Sequence, residues 1–581
     1  MWRDALGVMA ILGIVACTPA SQSTVPAAPE GSPPQGSGGT ERTLIVAIRV
    51  EPQSIAAKPT RAVFTRVATA QRFFNAGLDL VDDQGLARPY LAESLPRLNT
   101  ESWRVFADGR METTYRLKPN LTWHDGTPLS ADDFAFAWRV LSTPELGVSS
   151  TPPIGLMDEV SASDERTFTI HWPRPNPRAG LMQDGGDVSQ FPPLPRHILA
   201  GPFQEGQWDA FANHPYWTRD FIGLGPYALE RWEPGAFIEG VSFAGHVLGR
   251  PHIERIRVLF IGDSNAVVAN LLSGAIHVAA DISIGFQQAV TVKREWAASG
   301  QNAGTVLMAT DLWRAIYFQL RPELASPRAI LDVRVRRALA HALDKSALNG
   351  ALYEGEGMMA EMIIPSGTPH YEEIEASLVR YPYDARRSEQ LLNEAGFRKG
   401  TDGFFTHPAD GRLDLELKVN ASAQYEAERS IVADLLRQTG VAIQEATLPA
   451  AQAQDGQVRA SFPALYPFST GASETSLRNF GSAAIPTRDN RWTGSNRGGW
   501  SSAEYDGLLE AFNVTLDPSE RVRQIARLAR LISEDLPAIS LYYDLNPTVY
   551  TNVLRGPRQF LPDTTGNVAW NVYEWELRGE K

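Results

Sequence analysis

Cysteine is nearly absent from this chain of 581 residues: its single copy, Cys17, lies close to the start. One cysteine excludes a disulfide framework and any metal site that is rich in cysteine. Long apolar runs are missing too, because no stretch reaches the roughly 18 consecutive apolar residues that a membrane-spanning helix needs. The sequence therefore predicts no membrane-spanning helix in the mature protein.

Local motifs for catalysis and metal binding are also missing. The sequence has no G-x-S-x-G nucleophile elbow, no G-x-x-x-x-G-K-[ST] phosphate loop, no H-E-x-x-H pair and no EF-hand loop. The ten histidines are scattered, and neither His246 with His252 nor His197 with His214 has the spacing of zinc ligands. We predict no catalytic residue, no cofactor and no metal site. A secreted hydrolase without a local motif is the enzymatic alternative.

Basic residues are outnumbered by acidic ones. Lys and Arg total 54 against 67 Asp and Glu, which gives a formal net charge of −13. Since affinity for nucleic acid depends on clustered Lys and Arg, nucleic acid is a poor candidate partner. Apolar residues make up 43% and charged residues 21%, as in ordinary globular proteins, and this excludes a fully disordered chain. At about 150 residues per domain, the length corresponds to roughly four domains.

The first 42 residues have the composition of a targeting segment and a linker. Arg3, the apolar residues 5–15 and the small residue before Cys17 are typical of a secretory signal, and the cysteine resembles that of a bacterial lipobox. We predict that residues 1–17 are a lipoprotein signal peptide and that the Cys17 thiol is acylated. A plain signal peptide with a chance cysteine and a short buried helix are the alternatives. Residues 18–42, rich in Pro, Ser and Gly, are a predicted flexible tether.

Strands and helices alternate along the remaining chain. Residues 43–50 form a β-branched and apolar run that predicts a buried strand. A strand at 413–419, a helix at 425–439 that ends at Gly440, and a strand at 441–448 predict a βαβ unit. The other predicted elements are helices at 332–348, 384–395 and 518 to about 534, and strands at 311–320 and 539–543. This mixture favours several α/β lobes over a barrel.

Residues 88–134 contain the most specific motif. They predict a strand, a tight Asp125-Gly126 turn and a helix with Ser130 and Asp133 in a capping box. The segment resembles the extracellular solute-binding proteins of family five, the peptide- and nickel-type receptors of ABC importers. Further motifs follow in the family's order, so that the resemblance covers about residues 43–545. They lie at residues 223–227, 232–235, 256–276, 332–345, 383–396, 496–506 and 536–542.

The resemblance implies an α/β, bilobal fold like that of periplasmic binding proteins, with an extra domain and a hinge between the lobes. Lobe I is expected to comprise residues 43–75, 196–281 and 542–581, the extra domain residues 76–195, and lobe II residues 282–541. A receptor of this kind captures a peptide or peptide-like solute in the cleft and delivers it to the permease subunits of an ABC importer. We expect a non-enzymatic, monomeric lipoprotein of the cell envelope. A receptor for a sugar or another small organic solute, or a sensor lipoprotein, is the alternative.

The ligand contacts are harder to predict. Relatives commonly hold the α-amine of a peptide with an aspartate in an Asp-Tyr-x-Asp-Pro segment, whereas residues 462–475 of this chain lack the aspartate pair. Glu474 is a candidate replacement, and a solvated loop charge is the alternative. Lys58 and Arg61 could meet an anionic ligand group, although such residues more often face water. Trp313 and Tyr317 could stack on a ligand or lie in the core. The other candidates are Tyr466, Phe468, Arg491, Trp492, Trp500 and Tyr542.

Overall fold

A computed structural model describes residues 43–56, 58, 67–148, 152–183, 191–298, 303–558 and 567–578 of the protein. Residues Arg42–Lys581 form one compact unit. The predicted signal peptide with Cys17, the predicted tether and Arg61 lie outside the described residues. Within the described part, none of the helices has the length and apolar character required to cross a bilayer.

The described segments contain both strands and helices. In chain order the strands are β1 (Thr43–Ile48), β2 (Asp79–Val81), β3 (Ala87–Pro89), β4 (Trp103–Val105), β5 (Met111–Arg116), β6 (Glu159–Ala162), β7 (Thr167–Trp172), β8 (Tyr227–Glu233), β9 (Phe237–Ser242), β10 (Arg255–Phe260), β11 (Val278–Ala279), β12 (Gly304–Phe318), β13 (Met358–Met359), β14 (Arg398–Lys399), β15 (Phe405–His407), β16 (Gly411–Arg412), β17 (Asp414–Asn420), β18 (Ala442–Leu448), β19 (Leu465–Gly471), β20 (Ala538–Thr551), β21 (Leu554–Arg555) and β22 (Glu576–Leu577). The helices are α1 (Ala68–Phe74), α2 (Ala131–Leu141), α3 (Arg196–Gln204), α4 (Trp208–Ala212), α5 (Ser264–Leu272), α6 (Phe286–Ala298), α7 (Val333–Ala342), α8 (Lys345–Tyr353), α9 (Tyr371–Glu375), α10 (Ala385–Glu394), α11 (Ala423–Thr439), α12 (Gly456–Ala460), α13 (Ala503–Val514) and α14 (Pro518–Asp535).

One mixed sheet runs through the whole described unit. Its strand order is β18-β17-β19-β12-β20-β11-β1-β10-β9-β8, and β13 pairs with β20. The two longest strands, β12 with 15 residues and β20 with 14, pair antiparallel along most of their length and join the two halves of the sheet. We call β12 and β20 the crossing strands. A separate four-stranded sheet, in the order β4-β5-β7-β6, stands beside the half that contains β1.

Apolar side chains cover the sheet on both sides. The half around β1 shares one continuous core with the four-stranded sheet, including Leu44, Phe73 and Trp172. In the other half, helices α7, α8, α10 and α11 cover one face of the sheet and α13 and α14 cover the opposite face. Helices on both faces explain why β19 buries neighbouring residues on opposite sides, Leu465 and Tyr466, and they make this half a three-layer α/β structure.

Several local predictions are confirmed. Ser130 and Asp133 form the expected capping box at the start of α2, and Gly126 in the preceding turn has a φ of +86°. The strands β17 and β18 pair in parallel on either side of α11, which Gly440 ends with a φ of +100°. The helices predicted at residues 384–395 and 518 to about 534 are α10 and α14, each of which is capped by the preceding aspartate, Asp384 or Asp517. These features depend on short-range signals, which is why the sequence predicts them well.

Two predicted elements have different lengths in the structure. The single helix expected at residues 332–348 is wrong: it is two helices, α7 and α8, because Leu343 is extended (φ −93°, ψ 108°). Asp344 begins the second helix, since its Oδ1 accepts a hydrogen bond from the Ala347 amide at 2.9 Å. The strand expected at residues 539–543 continues to Thr551. Its extension pairs with the distant strands β12 and β11, so local sequence carries little sign of it.

Candidate ligand cleft

The pairing of the crossing strands is irregular where the two halves of the sheet meet. Thr310 pairs with Leu545 and Trp313 pairs with Tyr543, so two residues of β12 stand opposite Asp544 alone. A second shift follows between Arg314 and Ala315. Bulges of this kind bend a strand and increase its twist. The irregular stretch therefore lies at the join between the two halves of the sheet.

The two halves also approach each other away from the crossing strands. Leu516, in the turn between α13 and α14, packs against the core that belongs to the half around β1. On the same side, Glu474 forms an ion pair with Arg521 at 3.2 Å. Burial lowers the pKa of Arg521, and the like charge of Arg178 adds to this effect. The Glu474 carboxylate acts in the opposite direction, but the pKa stays below its ordinary value. Arg178 lies between β7 and α3, next to Ala179, which belongs to the core around β1. Charged groups from both halves therefore meet at this surface.

The predicted acidic anchor is therefore already engaged in the structure. The carboxylate of Glu474 is about one-third exposed and accepts a hydrogen bond from Arg521. Beside it, Asn479 Nδ2 donates to Thr470 Oγ1 at 2.8 Å at the end of β19. A ligand amine that used Glu474 would have to share this carboxylate with Arg521. The role of Glu474 in binding remains a prediction.

Two predicted aromatic residues lie on one face of β12, as their spacing indicates. The rings of Trp313 and Tyr317 are 6.1 Å apart, and Tyr317 stacks on Phe480 at 5.9 Å. Both side chains are almost fully buried, with 1% and 2% of their surface exposed. Trp313 also lines a cavity of about 40 Å³ between this face of the sheet and α14. A void of that size has room for a few waters and not for a peptide.

Tyr542, another predicted ligand residue, belongs to a buried polar network on the opposite face. Its hydroxyl donates to Glu428, which also pairs with Arg314 at 2.8 Å. Burial alone would lower the pKa of Arg314, but the Glu428 carboxylate raises it well above the ordinary value. The Arg314 guanidinium also lies 3.9 Å above the ring of Tyr425. The side chains of Arg314, Glu428 and Tyr542 have relative exposures of 2% or less, so the network fixes α11 onto the crossing strands.

Tyr466 and Phe468 lie on β19, on the same face of the sheet as Trp313 and Tyr317 of β12. Their rings stack with centroids 6.3 Å apart, and the Tyr466 hydroxyl donates to Asn420 Oδ1 at 2.7 Å. Phe468 is only partly buried. The guanidinium carbon of Arg497 lies 3.4 Å from the centroid of the Phe468 ring. These predicted ligand residues thus stand beside a buried cation that the sequence analysis did not single out.

Arg497 is held in place by the loop at residues 496–500. Asn496 donates to the carbonyls of Phe480, Gly481 and Trp500 and accepts from the Trp500 amide. Gly498 lies so close to β12 that a Cβ there would stand 2.1 Å from the Phe318 carbonyl oxygen. The Asn-Arg-Gly-Gly-Trp motif is therefore a tight loop that fixes Arg497 against the sheet.

The remaining predicted residues lie around this loop or apart from it. The indole of Trp500 donates to Asp535 at 3.1 Å and is buried, while Arg491 is exposed and Trp492 is partly buried. Lys58 is partly exposed after β1. Among the described residues, no group of three or more His, Cys, Asp or Glu side chains could hold a metal ion.

Residues 93–485, more than half of the chain, match the family described as bacterial extracellular solute-binding proteins, family 5 Middle. The chain belongs to this family. The predicted resemblance is thus confirmed. The oligopeptide-binding protein AppA of Bacillus subtilis is 24% identical to this family 5 protein over 497 residues, which are 84% of this chain and 83% of AppA.

Solved structures share the fold of the family 5 protein. An oligopeptide-binding protein from Thermus thermophilus, complexed with a pentapeptide, matches with a TM-score of 0.71 at 22% identity, over 92% of this chain and 96% of that chain. NikZ from Campylobacter jejuni, in complex with Ni(L-His), also gives 0.71, at 23% identity over 92% and 99% of the chains. The predicted bilobal α/β fold is therefore confirmed, with the crossing strands joining the lobes.

Sequence reasoning missed two arginines of the candidate cleft, Arg459 and Arg521, and noted Arg497 only as part of a Gly-rich loop that could line a pocket or pack at the edge of a lobe. Arg497 lies inside a motif that the sequence analysis noted, between two residues with structural roles. A charged residue within a tight Gly-rich motif was the available signal, because such a loop fixes the direction of the side chain it carries. Arg459 and Arg521 carry no comparable signal, since the residues that surround them come from distant segments.

Proposed function

We propose that this protein is the solute-capturing receptor of an ABC importer, which binds a peptide or peptide-like solute between its lobes and passes it to a membrane permease. The observation that carries the proposal is the similarity to AppA, named an oligopeptide-binding protein, across 84% of this chain. The fold shared with a pentapeptide-bound protein supports it. Closure about the crossing strands would bury the ligand, as hinge proteins do.

The domain boundaries belong to the same proposal. We assign residues 43–75, 196–281 and 542–581 to lobe I, 76–195 to the extra domain and 282–541 to lobe II. The pairing of β1 with β10 and β11 supports lobe I, and the separate sheet of β4 to β7 supports the extra domain. Helix α6 contributes to the cores of both halves, so it accompanies the crossing strands at the boundary.

Anchoring and partners complete the proposal. Acylation of Cys17 would hold the receptor at the outer surface of a membrane, and residues 18–42 would let the body turn while it stays near the permease. The receptor acts as a monomer and performs no chemical step on its solute. The family's extracellular character supports this location.

A non-peptide organic solute is the second candidate. The observation that favours it is the engagement of Glu474 by Arg521, in a chain that also lacks the aspartate pair of the peptide-binding segment. A solute without an ammonium group would need no acidic anchor. NikZ, which has the same fold, is described in complex with Ni(L-His), so the fold is compatible with cargo other than peptides.

Mass spectrometry of the compounds released when the purified protein is denatured tests the proposal. Recovery of short peptides would support the peptide receptor and make Glu474→Gln the first binding variant. Recovery of one non-peptide compound would support the second candidate. Turnover of the recovered compound by the native protein would contradict both, because a receptor releases its solute unchanged. A matched sample of an unrelated exported protein controls for contaminants.

A further inference from the structure

The turn between α13 and α14 makes an apolar contact between the two halves of the molecule. Leu516 in this turn packs against the core that the half around β1 shares with the four-stranded sheet. Phe512 and Val522, on the two flanking helices, belong instead to a core of lobe II. Leu516 is itself only partly buried. One partly buried leucine is a small contact, so it can open and form again without unfolding either half.

Side chains of α14 hold this turn in place. Nη1 of Arg521 donates to the carbonyls of Phe512 and Thr515 at 2.8 and 3.4 Å. The guanidinium carbon of Arg521 also lies 4.0 Å from the centroid of the Phe512 ring. Nε2 of Gln524 donates to Thr515 Oγ1 at 3.0 Å. Because the turn is fixed from within lobe II, Leu516 moves together with that lobe.

The opposing segment, residues 178–183, is fixed to the extra domain in a similar way. Oδ2 of Asp79, in β2, accepts a hydrogen bond from the Met182 amide at 3.1 Å. The hydroxyl of Tyr115, in β5, donates to a backbone carbonyl of the same segment at 3.3 Å. Arg178, the first residue of the segment, therefore moves together with the extra domain.

Two like charges meet where these segments approach each other. Besides burial, the charge of Arg178 lowers the pKa of Arg521, so the two guanidinium groups lie within electrostatic range. Glu474 pairs with Arg521 at 3.2 Å and offsets part of this repulsion. Arg178 belongs to the extra domain, whereas the other two residues belong to lobe II. Apolar attraction at Leu516 and charge repulsion thus act at one surface in opposite directions.

We infer that Leu516 forms a latch between lobe II and the rest of the molecule, and that repulsion between Arg178 and Arg521 keeps this latch weak. A strong latch would close the lobes whether or not a solute is present. A weak one leaves the closure to the solute, which shifts the equilibrium by binding the closed form more tightly. The inference rests on the proposed function for the closure that the latch regulates, but the contact itself can be tested without a solute.

Hydrogen exchange of the purified protein, stripped of solute and followed by mass spectrometry, measures the latch from the side that is not mutated. Leu516→Ser should make the amides of residues 178–183 exchange about fivefold faster, because the extra domain loses its apolar contact with lobe II. The protein should still fold, since Leu516 is only partly buried. Val514→Ser, an exposed change at the end of α13, is the matched control and should exchange like the wild type.

Arg178→Gln should have the opposite effect, because it removes the repulsion. The amides of residues 512–521 in lobe II should exchange about two- to fivefold more slowly than in the wild type. Added sodium chloride should slow these amides in the wild type, since salt screens the two charges, and should leave them unchanged in Arg178→Gln. Arg97→Gln, which removes an exposed charge elsewhere on the extra domain, is the charge-matched control.

The latch and the proposed function fail in different ways. Both variants responding as expected supports the latch, and a solute that then leaves the lobes open contradicts the proposed closure alone. The latch is overturned if residues 178–183 exchange in Leu516→Ser as they do in the wild type, or if Arg178→Gln does not slow residues 512–521. Compaction of the protein by its solute would in that case leave the receptor standing.

Discussion

At the scale of single residues, the buried pair of Arg314 and Glu428 shows how lobe II tolerates charge in its interior. Both side chains are withdrawn from water, and each is satisfied: Glu428 accepts from Arg314 and from the hydroxyl of Tyr542. Desolvation of two charges is expensive, and mutual attraction with good geometry offsets it.

Replacing Glu428 by Leu should lower the free energy of unfolding by about 3–5 kcal/mol, because the Arg314 charge stays buried without its partner. The double variant Arg314→Met with Glu428→Leu should regain most of that loss, since no charge remains to be desolvated. Urea unfolding of the wild type, both single variants and the double variant measures this. A double variant whose loss equals the sum of the two single losses would contradict the pairing.

His246 makes a second residue-scale prediction, on pH. Its Nδ1 lies 2.8 Å from the Gly249 carbonyl, which can only accept, so Nδ1 carries the proton and Nε2 accepts from the hydroxyl of Tyr90. Burial lowers the pKa of His246 to about 4 from 6.5. The unfolded chain therefore takes up a proton that the folded chain refuses, and stability falls as the pH drops from about 6.5 to about 4. By linkage this amounts to roughly 3 kcal/mol.

The variant His246→Gln, which can keep both hydrogen bonds, should reduce the slope of this part of the stability profile. His124, whose pKa is also lowered to about 4 by burial, should account for the slope that remains. The exposed His252→Gln should leave the profile as it is in the wild type. Urea unfolding at several values between pH 7 and pH 4 measures both. Parallel profiles of the wild type and His246→Gln would show that His246 is not the group responsible.

At the scale of elements, the start of a helix was predictable where a capping side chain stands just before its first turn. Helix α14 begins at Pro518 because Asp517 Oδ1 accepts from the Glu520 amide at 2.7 Å. Asp517→Ala should therefore destabilise the protein by about 1 kcal/mol in chemical unfolding. Ser519→Ala, an exposed change in the same turn, is the matched control. Equal stabilities of the two variants would contradict the capping role.

What the sequence could not predict has two physical causes, a local cap that competes with helical periodicity and contacts between distant segments. The helix expected through residue 348 is interrupted because Asp344 serves as a new cap, which periodicity alone does not reveal. The long pairing of the crossing strands joins segments more than 200 residues apart, so only the first part of β20, residues 539–543, was predicted. The same reasoning applies to the site: aromatic residues were predicted by position, whereas Arg459 and Arg497 become neighbours only through the fold.

At the scale of the whole molecule, the proposed attachment to a membrane depends on one atom, the sulfur of Cys17. If the Cys17 thiol carries the lipid, Cys17→Ser should move the exported protein from the membrane pellet to the soluble fraction of the host's envelope. Fractionation followed by immunoblotting measures this, with the unchanged protein as reference. Mutant protein that still sediments with membranes would contradict acylation at Cys17.

The crossing strands join the two lobes, and the proposed function requires that the lobes close about these strands. Their irregular pairing at Thr310 to Trp313 lies where the two halves of the sheet meet, and Leu516 and Arg521 lie on the facing surface. A solute that contacts both lobes binds the closed form more tightly and so shifts the population toward it. Loss of the gap between lobes should make the protein more compact.

Small-angle X-ray scattering of the purified protein, stripped of solute and then saturated with the compound recovered by mass spectrometry, tests this most directly. The account predicts a smaller radius of gyration with the solute bound, and a return to the larger value when the solute is removed. Superimposable scattering profiles at confirmed saturation would contradict capture by closure of the lobes.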